Sequence, residues 1–335
     1  MLTLSALDQL PVFRDLDAPT AVRESVTLAV ALEGLGYHRF WVAEHHGDPS
    51  RACAAPDVLA ASIAARTTTL RVGTGCTLLP YTSPLRTAEA HRLLAALAPG
   101  RIDLGIGRGQ GTAAATAALL PAYGTTTEAY ESQVAELLQL LGHAAGSGAP
   151  MAVPLGASPP EPWLMGSSSG GARTAASFGL PFAFAQFAHP SPRPDIVEEY
   201  RSAFRPGPFG SDPQVVIAVR ISCAPTRVEA EELAAAVWWP IQGRESGPTS
   251  EGWPHDTYPS RTDLAGHRRS PEERACAESM PWATVTGDPG GVMARLTELA
   301  DVYGADELVL TTTCPGLAER IRMYELVAGA NRRPA

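Results

Sequence analysis

Residues 40–47 read F-W-V-A-E-H-H-G, an apolar run that stops at Glu44, His45 and His46. A carboxylate beside two imidazoles could hold a metal, move protons, or close a strand with no chemistry. Neighbouring residues of a strand point to opposite faces, so His45 and His46 are badly placed to chelate one ion. The helical spacing H-E-x-x-H is absent and no Cys/His cluster supplies further ligands, so no metal is expected. The alternation instead predicts one inward imidazole, which beside Glu44 could do acid/base work or donate to a ligand, and one that packs outward or meets solvent. A hydrogen-bonded histidine without a catalytic role is the competing reading.

Two glycine-rich turns have similar potential. G-I-G-R-G-Q-G at 105–111 fails the dinucleotide spacing, which needs Gly at Gln110 or Thr112. Its glycines would let backbone approach a ligand, and Arg108 could pair with a phosphate or carboxylate; a tight turn with a solvated arginine is the alternative. L-M-G-S-S-S-G-G-A at 164–172 reads as a strand, a small-residue turn and a helix start. Free N–H groups and hydroxyls there make a phosphate cradle without lysine, although ordinary serine capping gives the same pattern. Gly166 to Gly170 also satisfies G-x-S-x-G, a nucleophile elbow in which Ser168 would attack an ester with His189, His255 or His267 as base. No H-G-G loop precedes it to complete that reading.

These residues need a scaffold that gathers strand ends. Short apolar strands are expected at 2–7, 39–43, 71–79, 101–107, 162–166, 181–185, 215–222 and 307–313, alternating with helical periodicity. Val22, Val26, Ala29 and Val30 mark a helix from about Thr20 that Gly36 stops, and Ser83-Pro84 starts another. Continuously apolar strands point to a parallel sheet buried on both faces, and eight units suggest a closed (β/α)8 TIM barrel spanning 1–335 as one domain. An open doubly wound sheet is the rival. Residues 242–281 are rich in Gly, Pro, Ser and charge, and read as a late insertion before the last βα unit.

Composition narrows the function further. The chain has 335 residues, is 45% apolar and carries a net charge of −9, which leaves no basic surface for nucleic acid. All 26 Lys+Arg residues are arginine, which excludes lysine Schiff bases and a lysine P-loop. The start M-L-T-L-S-A-L-D does not read as a signal peptide, and no stretch nears the roughly 18 apolar residues a membrane helix needs. Five scattered cysteines (Cys53, Cys76, Cys223, Cys276, Cys314) suggest reduced thiols in a cytoplasmic protein.

Taken in order, L-S-A-L-D-Q, G-Y-H-R-F-W-V-A-E-H-H, R-V-G-T-G, P-G-R-I-D-L-G-I-G-R-G, W-L-M-G-S-S, G-L-P-F-A-F-A and G-A-D-E-L-V-L-T-T make the chain resemble the bacterial luciferase-like flavin monooxygenases. The resemblance implies a (β/α)8 barrel, commonly dimeric, that binds reduced FMN at the C-terminal mouth and uses O2 to oxygenate a small organic substrate. It implies His45, with Glu44, as the active-site pair beside the isoalloxazine ring. It places Arg108, Gly166, Ser167, Ser168 and Ser169 at the phosphate, and Ala6, Gly75 and Cys76 among the cofactor contacts, with a non-prolyl cis peptide often behind the ring. A separate flavin reductase is implied because no NAD fingerprint is present. The same family includes deazaflavin-dependent hydride carriers, which is the close alternative; a Ser168 esterase and a catalytically silent flavin binder are the others.

Overall fold

The computed structural model describes residues 1–109, 116, 118–121, 124–142, 150–235, 257–265 and 270–332. Nine parallel strands are present among them: β1 (Thr3–Asp8), β2 (Arg39–Val42), β3 (Arg71–Leu78), β4 (Ile102–Gly107), β5 (Glu161–Gly166), β6 (Phe182–Ala185), β7 (Val215–Cys223), β8 (Val285–Gly287) and β9 (Glu307–Thr311). The ladder runs β1 to β7 in order, passes to β9 and returns to β1, closing an eight-stranded barrel with helices around it. This is the (β/α)8 barrel expected, and the open sheet is excluded by the β9–β1 and β6–β7 pairings. Strand β8 lies outside the ring, paired only to the end of β7 through Ile221 and Val285. Three residues are too few to show periodicity, which is why the sequence does not announce it.

Local chemistry sets the helix limits. The Asp17 carboxylate accepts from the Thr20 N–H at 2.6 Å and starts helix Ala18–Leu35, slightly earlier than expected, and Gly36 at φ 85° ends it. Ser83 caps Pro84–Leu97 and Asp288 caps Pro289–Tyr303, each with proline following. Glu33, near the end of the first helix, accepts the backbone N–H groups of Thr68, Thr69 and Leu70 at 2.7, 2.6 and 3.0 Å and so fixes the approach to β3.

The strands sort their side chains into two cores. Outward residues such as Leu4, Ala6, Phe40 and Val72 pack against the helices in one large cluster. Inward residues form a second, smaller cluster that includes Leu7, Trp41, Trp163, Ala183, Ala218 and Val309. Below it the barrel floor is charged rather than apolar. Arg39 donates to Asp103 at 2.9 Å and to Glu307 at 2.6 Å, and Arg71 bonds Asp103 and lies 2.8 Å from Glu161. The indole N–H groups of Trp41 and Trp163 donate to Asp103 and Glu161 at 2.8 and 2.9 Å, tying floor to core. Burial acts to depress the Arg39 guanidinium, and Asp103 with Glu307 outweighs it and raises it above its ordinary value.

Of the late segment expected at 242–281, residues 242–256 and 266–269 lie outside the described residues. Tyr258 within it docks on the loop after β1: its N–H donates to Val12 O at 2.7 Å, its carbonyl accepts from the Arg14 N–H at 2.9 Å, and its ring meets Phe13 at 6.0 Å. Two short helices follow, Arg261–Ala265 and Pro271–Ser279.

Two stability predictions follow from these contacts. Asp103→Ala leaves Arg39 and Arg71 buried with their shared carboxylate gone, so urea denaturation should show a loss of about 3–5 kcal/mol. Burial pushes the Glu33 carboxyl up, but the three backbone donors outweigh it and hold it at about 2, below its ordinary 4.5. A depressed carboxyl stabilises fully above its unfolded value and loses that contribution on acidification. Glu33→Gln should therefore unfold more easily than wild type at neutral pH, with the gap closing as pH falls from 4.5 towards about 2.

Candidate active site

All barrel strands are parallel, so their C-terminal ends open on one mouth. Above the tryptophan layer the lumen wall is made of small residues: Ala43, Gly75, Gly107 and Ala185 follow Trp41, Gly73, Gly105 and Ala183 on the inward face. Strand β3 is irregular here. Its register against β4 shifts between Thr74 and Thr77, and the Gly75–Cys76 peptide is cis, as the family resemblance implies. A Cβ on Gly75 would press on Trp41 and Leu7, one on Gly105 would overlap the Thr74 carbonyl, and one on Gly107 would overlap Cys76 Sγ. These glycines are therefore required by the close approach of β3 to its neighbours, and the free lumen is a result of that packing. The Cys76 thiol is pushed up to about 12, first by burial and then by the charge of Glu44, so it stays protonated.

Glu44, His45 and His46 follow the end of β2. The sequence expectation that Glu44 orients His45 is corrected: Glu44 Oε1 lies 2.7 Å from His46 Nε2, and its Oε2 accepts the Leu78 N–H at 3.1 Å. Residues two apart in extended chain share a side, so the carboxylate meets His46 for the same reason that it faces away from His45. His46 stands edge-on to Tyr81 at 5.8 Å, and burial raises the Glu44 carboxyl above its ordinary value against the lowering pull of His46. His45 is half-buried and donates its backbone N–H to the Cys53 carbonyl at 2.8 Å.

The two polar turns sit side by side because Ile106 of β4 pairs with Leu164 of β5. Arg108 donates to Thr127 Oγ1 at 3.0 Å and to the Thr125 carbonyl at 2.6 Å, so it braces the start of helix Thr127–Gly142. Ser168 caps helix Ser169–Ser177, accepting weakly from the Gly171 N–H at 3.4 Å. Gly170 and Gly171 have no positive φ, and an added Cβ at either would make only ordinary contacts of 3.5 Å or more. Nothing in the protein's own packing requires glycine at these two positions, so the turn is open to a ligand in a way the β4 turn is not.

Ser167 lies beside this cap, and its carbonyl is 2.7 Å from His189 Nε2. That contact, with His189 stacked on Phe184 at 5.4 Å, takes the nearest candidate base away from the Ser168 hydroxyl. His255 and His267 lie outside the described residues. Ala6 also departs from expectation. It is fully buried in the helix-facing core, whereas its neighbours Ser5 and Leu7 face the lumen, so strand alternation turns it away from any cofactor.

Three lumen features escaped the sequence reading. Trp41 and Trp163 close the bottom of the lumen with ring centres 5.7 Å apart, and Arg220 of β7 lies with its guanidinium 5.3 Å from the Phe187 ring. The signal for Arg220 was present, because V-V-I-A-V-R-I-S places one charge two residues beyond the inward-facing Ala218. Elsewhere, an apolar groove of about 770 Å3 runs outside the barrel between helix Ala18–Leu35 and helix Pro56–Ala64.

A family model described as luciferase-like monooxygenase matches residues 5–306. The Bacillus subtilis protein YwcH is 35% identical over 98% of this chain and 99% of its own length. The N-acetyl-S-alkylcysteine monooxygenase of the same organism is 30% identical over 98% of each chain. The crystal structure of apo-MsnO8 superposes with a TM-score of 0.90 at 34% identity, covering 100% of both chains. Likeness of fold alone extends to the oxygenating constituent of 3,6-diketocamphane monooxygenase from Pseudomonas putida in complex with FMN (TM-score 0.69, 18% identity). It extends equally to an F420-dependent secondary alcohol dehydrogenase (TM-score 0.69, 14% identity). With its barrel, its open mouth and these matches along nearly its whole length, the chain belongs to the luciferase-like monooxygenase family.

Proposed function

We propose that the protein is an FMN-dependent monooxygenase that binds reduced flavin in the upper lumen and oxygenates a small organic substrate with O2. The open turn from Gly166 to Gly171 carries this reading, because its two glycines leave space that the fold does not use. Backbone N–H groups at that helix start, with Ser167, Ser169 and Arg108 beside them, would hold the phosphate. Gly75, Cys76 and Gly107 would back the ring, and the protonated Cys76 thiol would add no competing charge there. The bound flavin supplies the electrons that activate O2, one oxygen atom entering the substrate and the other leaving as water.

The chain's own residues contribute position, dryness and a proton. His45, two residues beyond the lumen residue Ala43, is the group that would give or take a proton at its imidazole nitrogen. Glu44 acts one step back, through the backbone of Leu78 and the His46 ring, by fixing the loop that carries His45. Trp41 and Trp163 keep water from entering through the floor. FMN is favoured over a deazaflavin because a relative 30% identical along the whole chain is named as a monooxygenase, and hydride carriers do not use O2. The flavin would be reduced by a separate reductase.

We also read the chain as one domain and the protein as a cytoplasmic homodimer. No described helix is long and apolar enough to cross a membrane. Val58, 67% exposed on the rim of the external groove, and Leu97, 68% exposed at the end of helix Pro84–Leu97, would be covered by a second copy.

Three measurements test this reading. Titration without O2 should show micromolar binding of reduced FMN and weaker binding of reduced deazaflavin; no binding of reduced FMN would refute it. Gly170→Ala with Gly171→Ala should melt no lower than wild type, because alanine favours helix by about 1 kcal/mol per site, yet bind reduced FMN at least tenfold more weakly. Sedimentation velocity should give a dimer, shifted to monomer by Val58→Asp.

A further inference from the structure

Arg220, half-buried on β7, is placed differently from Arg39, Arg71 and Arg320. Arg39 and Arg71 lie in hydrogen-bond contact with floor carboxylates, and Arg320 bonds Glu24 at 3.0 Å. Arg220 meets no carboxylate among the described residues: its guanidinium lies over Phe187 at 5.3 Å, and its buried Nε has no hydrogen-bond partner. Register places it opposite Thr311, four residues above the pairing of Val216 with the floor residue Glu307, or about 13 Å up the lumen. In the order of the closed ring, β7 is the strand diametrically across from β3. Arg220 therefore faces the Gly75–Cys76 wall across the space where a substrate must lie.

Its surroundings give the sign and size of the missing partner. Burial, the largest influence, pushes Arg220 down to about 10, with Tyr258 opposing and Arg51 adding to the fall. Arg51 donates to the Tyr258 hydroxyl at 3.3 Å and has Asp48 at 3.8 Å. Among the described residues, these two cations against one carboxylate leave a single positive charge without a counter-ion. A half-buried guanidinium without a counter-ion is costly, and a planar fork of donors fits a planar two-oxygen acceptor.

We propose that Arg220, with Arg51 and Tyr258 beside it, binds a carboxylate on the organic substrate, so that the enzyme acts on monoanionic rather than neutral apolar compounds. This rests on the reading that substrate is oxygenated in this lumen. It also assigns a role to Tyr258, which docks on the loop after β1.

Calorimetry with octanoate and octan-1-ol on the full-length protein tests the proposal, because the two probes differ only in the charged end. Wild type should bind octanoate at least tenfold more tightly than octan-1-ol. Arg220→Met should abolish that preference without weakening octan-1-ol, Arg220→Lys should restore part of it, and reduced FMN should bind all three proteins equally. Arg220→Met should also melt no lower than wild type, since it removes a half-buried charge that no carboxylate balances among the described residues. Equal binding of the two probes by wild type, unchanged octanoate binding by Arg220→Met, or an equal loss of both probes would overturn the proposal. So would a loss of reduced FMN in Arg220→Met, which would assign the arginine to the cofactor. Octanoate selectivity in a protein that binds no reduced FMN would instead uphold the carboxylate site and refute the flavin reading.

Discussion

The buried charge at the base of the barrel is the constraint on which the rest of the structure depends. Asp103 accepts from Arg39, Arg71 and the Trp41 indole at once, and it is fully buried. Charges in such a place persist only when every donor and acceptor is matched, and one mismatch costs more than the cluster contributes. The matching fixes β2, β3, β4, β5 and β9 relative to one another through side chains, in addition to their ladders. Trp41 and Trp163 then rest on this floor by their N–H groups, and Gly75 rests on Trp41. The position of the β3 irregularity, and with it the shape of the open lumen, is set from below.

Charge is handled differently at the two ends of the barrel. The floor pairs its arginines completely, as a stable interior should. The mouth holds a half-buried arginine that no carboxylate meets among the described residues, together with a helix start whose glycines the fold does not need. Both features cost stability in the isolated protein, and an anion at each would offset that cost. One lies on β7 and the other after β5, so two separate anionic groups fit the mouth: a phosphate at the turn and a carboxylate opposite β3.

Much of this was legible in the sequence because it depends on short-range rules. The eight barrel strands are apolar runs of ordinary length, and the caps Ser83 and Gly36 act through their own neighbours. The polar strand ends stood out by composition. What stayed hidden depends on partners distant in the chain. Strand alternation separated His45 from His46, but the two-residue step that joins Glu44 to His46 was overlooked. The same alternation turns Ala6 outward, although its motif suggested a cofactor contact. The floor could not be read, since Arg39, Asp103, Glu161 and Glu307 belong to four strands whose pairing is known only from the closed ring. Glycine was the most ambiguous signal: Gly105 and Gly107 serve strand packing, while Gly170 and Gly171 serve nothing within the fold.

The central claim is that the lumen above Trp41 and Trp163 is the flavin site. A crystal structure grown without O2 in the presence of reduced FMN tests it most directly. The account predicts the ring in the upper lumen against Gly75–Cys76, with the phosphate at the turn from Gly166 to Gly171. Flavin bound in the external groove between the first two helices, or a phosphate held by Arg220, would contradict it.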